Sequence, residues 1–223
     1  MVLLHNKVSV MRALVLHSGG MDSTLCLLLA LEAGHEVVSL GIDYGQRHRI
    51  ELEYALAHCR KHGVERRVLQ IEWDKPVRDI PTGRTLNDIR AGVSPAFLPG
   101  RNAVFLTLAC TEAAGIGAGE VWTGINSIDY SGYPDCRPEF LDAFKVMMRA
   151  AIPGGPQVVA PLLMMSKPEI ASEAHRLGLL KGDTWSCYQP RFTSQGISPC
   201  GECDACVLHD HAWRHACRKH ASD

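Results

Sequence analysis

The sequence predicts an α/β protein built on a doubly wound, mostly parallel sheet. Two observations carry this reading. Short apolar runs alternate with helix-like stretches along the first half of the chain, which calls for parallel strands joined by right-handed crossovers. The first apolar run also ends in a glycine-rich turn that opens a helix, the place where such sheets bind ligands. Ala13–His17 is the first buried strand, and Asp22–Leu31, rich in Leu and free of Gly and Pro, is a helix that Asp22 can cap. Glu36–Tyr44 is the second strand, an amphipathic helix runs from about Arg47 to His62, and Arg66–Trp73 is the third strand. Asp74–Gly100 holds four prolines and little periodicity, so it reads as a long loop or lid. Ala103–Ile116 then reads as a buried helix, Glu120–Gly124 as a strand and Ile125–Cys136 as a polar loop. A helix over Pro138–Ala150 with Pro in its first turn follows, then a short strand in "QVVAPL" and a helix over Lys167–Gly178 stopped by glycine. Beyond Trp185 regular patterning fades.

At 223 residues the chain fits one sizeable core with a small appendage. Residues 1–11 read as an extension ahead of the first strand, with Met11 an equally good start, 12–184 as the α/β domain, and 185–223 as a cysteine-bearing segment. A formal charge of −1 supplies no bulk pull toward nucleic acid or an anionic membrane. The longest apolar stretch, about Leu25–Leu31, is too short to span a bilayer, and the first ten residues lack the features of a signal peptide. The expected location is cytoplasmic. Nine cysteines there are reduced thiols, metal ligands or catalysts rather than a disulfide framework. Cys26, Cys59 and Cys110 sit in helix-like apolar patterns and read as core.

The turn "SGGMDS" lacks the Lys of the common GxxxxGK[ST] phosphate loop. Its glycines let backbone N–H groups approach an anion, the helix N-terminus adds a positive dipole end, and the Ser18, Ser23 and Thr24 hydroxyls can donate hydrogen bonds. Asp22 can hold Mg²⁺. An ordinary strand–helix turn accounts equally well for the bare pattern. "DYGQRHR" puts Gln46, Arg47 and His48 at the next strand end, either to offset phosphate charge or as a charged first helical turn. Arg101 in "PGRN" can reach an anion or close a surface salt bridge. In the polar loop, Asn126, Asp129, Ser131, Tyr133 and Asp135 offer acceptor carboxylates, donors and an aromatic face for a ligand. A solvated turn is the plainer alternative, and Cys136 reads as pocket lining rather than nucleophile. Lys167 opens a helix against its dipole, a cost of about 0.3–1 kcal/mol that hints at another task unless the side chain is simply solvated. Cys200, Cys203 and Cys206 form CxxCxxC with Cys187 upstream, which matches a closed zinc site. An iron–sulfur cluster, or Cys217 or His209 as fourth ligand, fits the spacing too.

"SGGMDS" resembles the signature of the PP-loop ATP pyrophosphatases, which cleave ATP between the α and β phosphates. Together with "DYGQRHRIE", "LPGRNAVFLTLA", "DYSGYPDCRPEF", "APLLMMSKPEI" and "SCYQP…CGECDAC", in that order, it resembles the 7-cyano-7-deazaguanine synthase family over nearly the whole chain. The resemblance implies conversion of 7-carboxy-7-deazaguanine and ammonia, with ATP, to a nitrile of queuosine-type biosynthesis through an acyl-adenylate and an amide. It implies ATP on His17, Ser18, Gly19, Gly20, Met21, Asp22, Ser23, Thr24, Asp43, Gln46 and Arg47, and catalysis by Lys167, Asp22 and Arg101 with Mg²⁺. It implies the base on Asn126, Asp129, Ser131, Tyr133 and Asp135, and structural Zn²⁺ on Cys187, Cys200, Cys203 and Cys206. Small-molecule substrates, no direct nucleic acid, no membrane and a homodimer complete the expectation. Asp74–Phe97 departs from the family's usual connection. The rival is therefore a ligase that activates the same acid but stops at the amide or joins it to another amine, such as a protein.

Overall fold

The computed structural model describes residues 11–73, 79–128 and 133–216. Five strands, β1 (Arg12–Leu16), β2 (Glu36–Asp43), β3 (Glu65–Gln70), β4 (Glu120–Trp122) and β5 (Gln157–Val159), form one sheet in the order β3-β2-β1-β4-β5. Every pairing in it is parallel, so all five carboxyl ends lie along one edge. The order reverses between β1 and β4, which makes that junction the natural crevice of the fold.

The sheet is central because its middle strand is apolar on both faces. Ala13 and Val15 join one core with helix α1 (Met21–Glu32), helix α6 (Lys167–Arg176) and helix α7 (Asp204–Ala216). Leu14, from the opposite face of β1, joins the second core with helices α4 (Arg101–Gly115) and α5 (Pro138–Ala151). This alternation is the period-2 geometry of a strand buried between helical layers. Helix α2 (Glu51–His62) packs on β2 and β3 and ends at Gly63 in the left-handed conformation, which lets its terminal carbonyls find donors.

The elements read from sequence are present, with four corrections. Helix α2 begins at Glu51 rather than Arg47, because residues 47–50 form turns. Asp22 does not cap α1: Gly20 holds the N-cap position, and the Asp22 carboxylate pairs with Lys167 instead. The lid contains a short helix, α3 (Leu86–Arg90), held by a capping box between Thr85 and Asp88. After Trp185 the chain forms a hairpin, β6 (Arg191–Thr193) with β7 (Gly196–Ser198), and then α7, whose Ala212, Trp213 and Ala216 lie in the main core. The expected extension falls largely outside the described residues.

Leu27 is fully buried in the α1 layer, whereas Leu56 on α2 is 37% exposed. Leu27→Ala is expected to lower the unfolding free energy by about 2–5 kcal/mol, and Leu56→Ala by less than about 1 kcal/mol. Urea titration of both variants measures the contrast.

Candidate active site

The glycine turn is shaped by what surrounds it. Gly19 has φ of +100°, and a Cβ there would lie 2.0 Å from the Glu51 carbonyl oxygen at the start of α2. Its own carbonyl accepts from Trp185 N at 3.0 Å. Ser23 Oγ accepts from the Ser18 and Gly19 amides at 3.2 and 3.3 Å and donates to the Gly20 carbonyl, so the turn is held from within by the first turn of α1. The result is a rigid loop at a helix N-terminus, a geometry suited to anions.

A cavity of about 240 Å³ opens over this turn at the β1–β4 junction. Ser18–Ser23 contribute to one wall, apart from Gly19, and Thr123–Asn126 after β4 to another. Tyr44, Glu51, Arg101 and Tyr133 also line it, and Trp185, Tyr188 and His209 come from the cysteine-bearing segment. Lys167 reaches the cavity from the start of α6, where it is 3% exposed and ion-paired with Asp22. A solvated surface lysine is thereby ruled out. Burial alone would lower the Arg101 guanidinium's pKa, but Tyr44, Tyr188 and Asp135 around it hold it up, so it is a fixed cation. Burial pushes the Cys136 thiol up to about 12, leaving it neutral and unsuited to nucleophilic attack at ordinary pH. Cys136 lines the cavity, as read from the sequence.

The sequence-predicted residues divide into three groups. His17, Ser18, Gly20, Met21, Asp22, Ser23, Arg101, Asn126, Tyr133 and Lys167 line the cavity. Gly19 and Thr24 support it: Thr24 Oγ1 meets one ring nitrogen of His17 and Ser39 Oγ the other. Others are spent elsewhere. Asp43 turns to Gly45 N and Arg49, and Gln46 and Arg47 line a smaller adjoining cavity rather than the main one. Asn126, although it lines the cavity, donates its amide to the Leu162 and Met165 carbonyls, which ties β4's loop to the approach to α6. Asp135 lines neither cavity; its Oδ2 accepts from Asn102 N at 3.1 Å and so caps the start of α4. Asp129 and Ser131 lie outside the described residues.

Sequence reasoning missed Glu51. It is buried, accepts from Gln46 Nε2 at 3.0 Å and faces His48 Nε2 at 3.5 Å. Burial raises its pKa to about 7, against the lowering effects of Gln46, Arg101 and Arg66. Burial, with Arg101, lowers His48 to about 4, so the imidazole is neutral. The signal in the sequence was only an acidic residue in a helix's first turn, which ordinarily faces water.

The Sγ atoms of Cys187, Cys200, Cys203 and Cys206 all lie within 4.8 Å of one another. The pairs Cys187–Cys200 and Cys200–Cys206 are 3.5 and 3.9 Å apart. A tetrahedral site with metal–sulfur arms of about 2.3 Å needs edges close to this, so the donor set fits one metal ion. Gln189 and Cys200 amides point at Cys187 Sγ, and Glu202 and Cys203 amides at Cys200 Sγ, donors that favour thiolate. His209 is not a ligand: its ring nitrogens face Ser186 Oγ and the Lys181 carbonyl. Cys217 lies outside the described residues.

The chain matches the family model described as "Queuosine biosynthesis protein QueC" over residues 12–217. It is 55% identical over 203 residues to "7-cyano-7-deazaguanine synthase 2" of Rhodopseudomonas palustris (strain HaA2), covering 91% of this chain and 97% of that one. It is 43% identical over 223 residues to "7-cyano-7-deazaguanine synthase" of Synechococcus sp. (strain CC9902), covering 92% and 94%. Among solved structures, a 4-thiouridine synthetase–RNA complex with bound ATP superposes with a TM-score of 0.51 at 20% identity, over 75% of this chain and 41% of that one. That likeness concerns the fold.

Glu51 also links stability to pH. Its folded pKa of about 7 stands above the ordinary 4.5, so its favourable contribution is complete below about pH 4.5 and is lost as pH rises through 7. Glu51→Gln keeps an acceptor for Gln46 and removes the buried charge. The variant is expected to be more stable than the parent at pH ~8 by on the order of 1–3 kcal/mol, with the advantage vanishing toward pH ~5. Denaturant melts at both pH values test the sign.

Proposed function

This chain belongs to the QueC family of queuosine biosynthesis proteins and acts as a 7-cyano-7-deazaguanine synthase, and from that premise we propose how its cavity does the work. The rival that stops at the amide, or joins the acid to a protein amine, finds no support among these relatives. ATP lies with its β and γ phosphates over the Ser18–Ser23 turn. The carboxylate of 7-carboxy-7-deazaguanine attacks the α-phosphate, pyrophosphate leaves, and an acyl-adenylate remains. Ammonia displaces AMP to give the amide. A second ATP activates the amide oxygen, and loss of AMP leaves the nitrile.

The observation that carries this reading is Lys167, buried at the cavity and paired with Asp22 beside the glycine turn. A cation held against a helix dipole and away from water suits charge that develops on the α-phosphate as pyrophosphate departs. Arg101, buried in the cavity wall, would receive the substrate carboxylate. Tyr133 would face the base, with Asp129 and Ser131 of the same loop reading its polar edge. Mg²⁺ is ordinarily held by one or two carboxylates together with substrate phosphates, and Asp22 is the residue that would hold it here, neutralising triphosphate charge. Asp43, Gln46 and Arg47 support the nucleotide side from the adjoining loop. The four-thiol set would hold structural Zn²⁺, with all four positions filled by protein. A homodimer in the cytoplasm, acting on small molecules without nucleic acid, completes the proposal. Among the described residues no helix is long and apolar enough to cross a membrane.

Incubation with 7-carboxy-7-deazaguanine, ammonia and ATP is expected to yield the nitrile by mass spectrometry, with AMP and pyrophosphate as the nucleotide products. Asp22→Asn is expected to suppress both nucleotide products together and to lower kcat more than it raises KM. Stoichiometric ADP and orthophosphate would contradict the adenylate route.

Elemental analysis is expected to find one zinc per chain. Cys203→Ala should release it and loosen the 187–206 segment, read by limited proteolysis. Iron with a visible charge-transfer band in anaerobically purified protein would overturn the zinc assignment.

A further inference from the structure

Forming an amide and then a nitrile requires protons to leave nitrogen. When ammonia attacks the acyl-adenylate, a C–N bond forms, the C–O bond to AMP breaks, and one proton departs from nitrogen. When the activated amide collapses, the second C–O bond to AMP breaks, the nitrogen loses its two remaining protons, and the triple bond forms. Each proton needs an acceptor next to the reacting carbon.

The groups lining the cavity leave few candidates. Its carboxylates, among the described residues, are Asp22 and Glu51, and Asp22 pairs with Lys167 and is the group assigned above to Mg²⁺. The ring nitrogens of His17 are both engaged by hydroxyls, and those of His209 by Ser186 and a carbonyl. His48, held near 4, is too weak a base to keep a proton at neutral pH, and the Cys136 thiol at about 12 does not ionise there. Glu51 remains.

We propose that Glu51 is the catalytic proton acceptor for the nitrogen nucleophile, taking the proton from ammonia in the first half-reaction and from the activated amide in the second. This rests on the synthase assignment above. Three features place the residue for that task. Its backbone carbonyl lies against Gly19, which ties the start of α2 to the glycine turn. Gln46 orients it, because that amide is itself fixed: its oxygen accepts from Tyr44 N at 3.0 Å, and its nitrogen also donates to the Ile42 carbonyl. Both side-chain contacts of Glu51, from Gln46 and His48, fall on Oε1, and Oε2 makes no hydrogen bond among the described residues. A carboxyl that titrates near neutrality can both take the proton and release it before the second half-reaction. The charged and titratable groups around it are His48, Arg101, Arg66 and Tyr44, and both guanidiniums favour its ionised form.

The test separates adenylation from amination. Exchange of labelled pyrophosphate into ATP, dependent on 7-carboxy-7-deazaguanine, reports the adenylate alone. Glu51→Gln is expected to keep this exchange within about threefold of the parent, while single-turnover amide formation from ammonia falls by about 100-fold or more. Hydroxylamine, a less basic amine that sheds its proton more readily, should recover part of the loss. Glu51→Asp, which keeps the charge but withdraws it by one methylene, should show the same split more mildly and serves if the Gln variant folds poorly. A parallel fall in exchange and amide formation would make Glu51 a structural residue, and an unchanged amide rate would remove it from the reaction; either overturns the inference. Absence of acid-dependent exchange in the parent protein would remove the reaction itself, and the inference with it.

Discussion

The site depends on how closely backbone approaches backbone at the carboxyl end of β1. A Cβ on Gly19 would lie 2.0 Å from the Glu51 carbonyl oxygen, and one on Gly124 would lie 3.0 Å from Asp22 C and Ser23 N. Neither gap accommodates a side chain. The first turn of α2 and the loop after β4 can therefore close on the glycine turn only because both positions are glycine. The Trp185 amide adds a third contact by donating to the Gly19 carbonyl. Three segments distant in sequence converge on one turn of six residues, and the cavity is the space they leave.

Within that space Lys167 and Asp22, 145 residues apart, form an ion pair between α6 and α1. Stability alone gives a poor account of it. Desolvating two charges costs several kcal/mol, and apolar replacement of such pairs is often neutral or favourable. Lys167 also opposes the dipole of its own helix. The start of α6 is built to tolerate this: Ser166 and Glu169 form a capping box, so the first amides find acceptors without help from the residue at Lys167. The pair thus adds little to the account of the folded state and leaves a buried lysine on the cavity wall.

Much of the fold was legible in the sequence because its signals are local. The apolar run of β1, the glycine turn and the Pro-started α5 each announce themselves within a few residues. Helix α7 was obscured differently. Ala205, Leu208, Ala212, Trp213 and Ala216 carry a helical stripe, but it starts inside the cysteine cluster, where spacing was read as metal chemistry. Helix α3 has five residues, too few for periodicity, and only its Thr85–Asp88 box marked it. In the site, residue type indicated the right loops but not the partners. Asn126 and Asp135 look like base-reading groups in sequence; in the structure the Asn126 amide nitrogen donates to two carbonyls and one Asp135 oxygen accepts from the start of α4. Glu51 looks solvated because a charged first turn usually is, and its burial comes wholly from segments packed around it. Hydrogen-bond competition and long-range burial are the terms a single sequence does not display.

The cysteine cluster does not line the cavity, yet it bears on the cavity's shape. The segment it organises supplies Trp185 and Tyr188 to the cavity wall. It also fastens the lid. Thr82 forms an isolated bridge with Cys203, Gly83 N donates to the Glu202 carbonyl, and Asp204 Oδ2 accepts from both Arg84 and Ser94. Ser94 and the following Ala96 and Leu98 lead directly to Arg101, and Ala96 and Leu98 share the smaller cavity with it. Two points of the lid, on either side of α3, are thus anchored on the carboxylate next to Cys203. The four thiols and the contacts that hold the lid thus belong to one packed segment. A cluster that does not line the cavity can in this way set the shape of its wall.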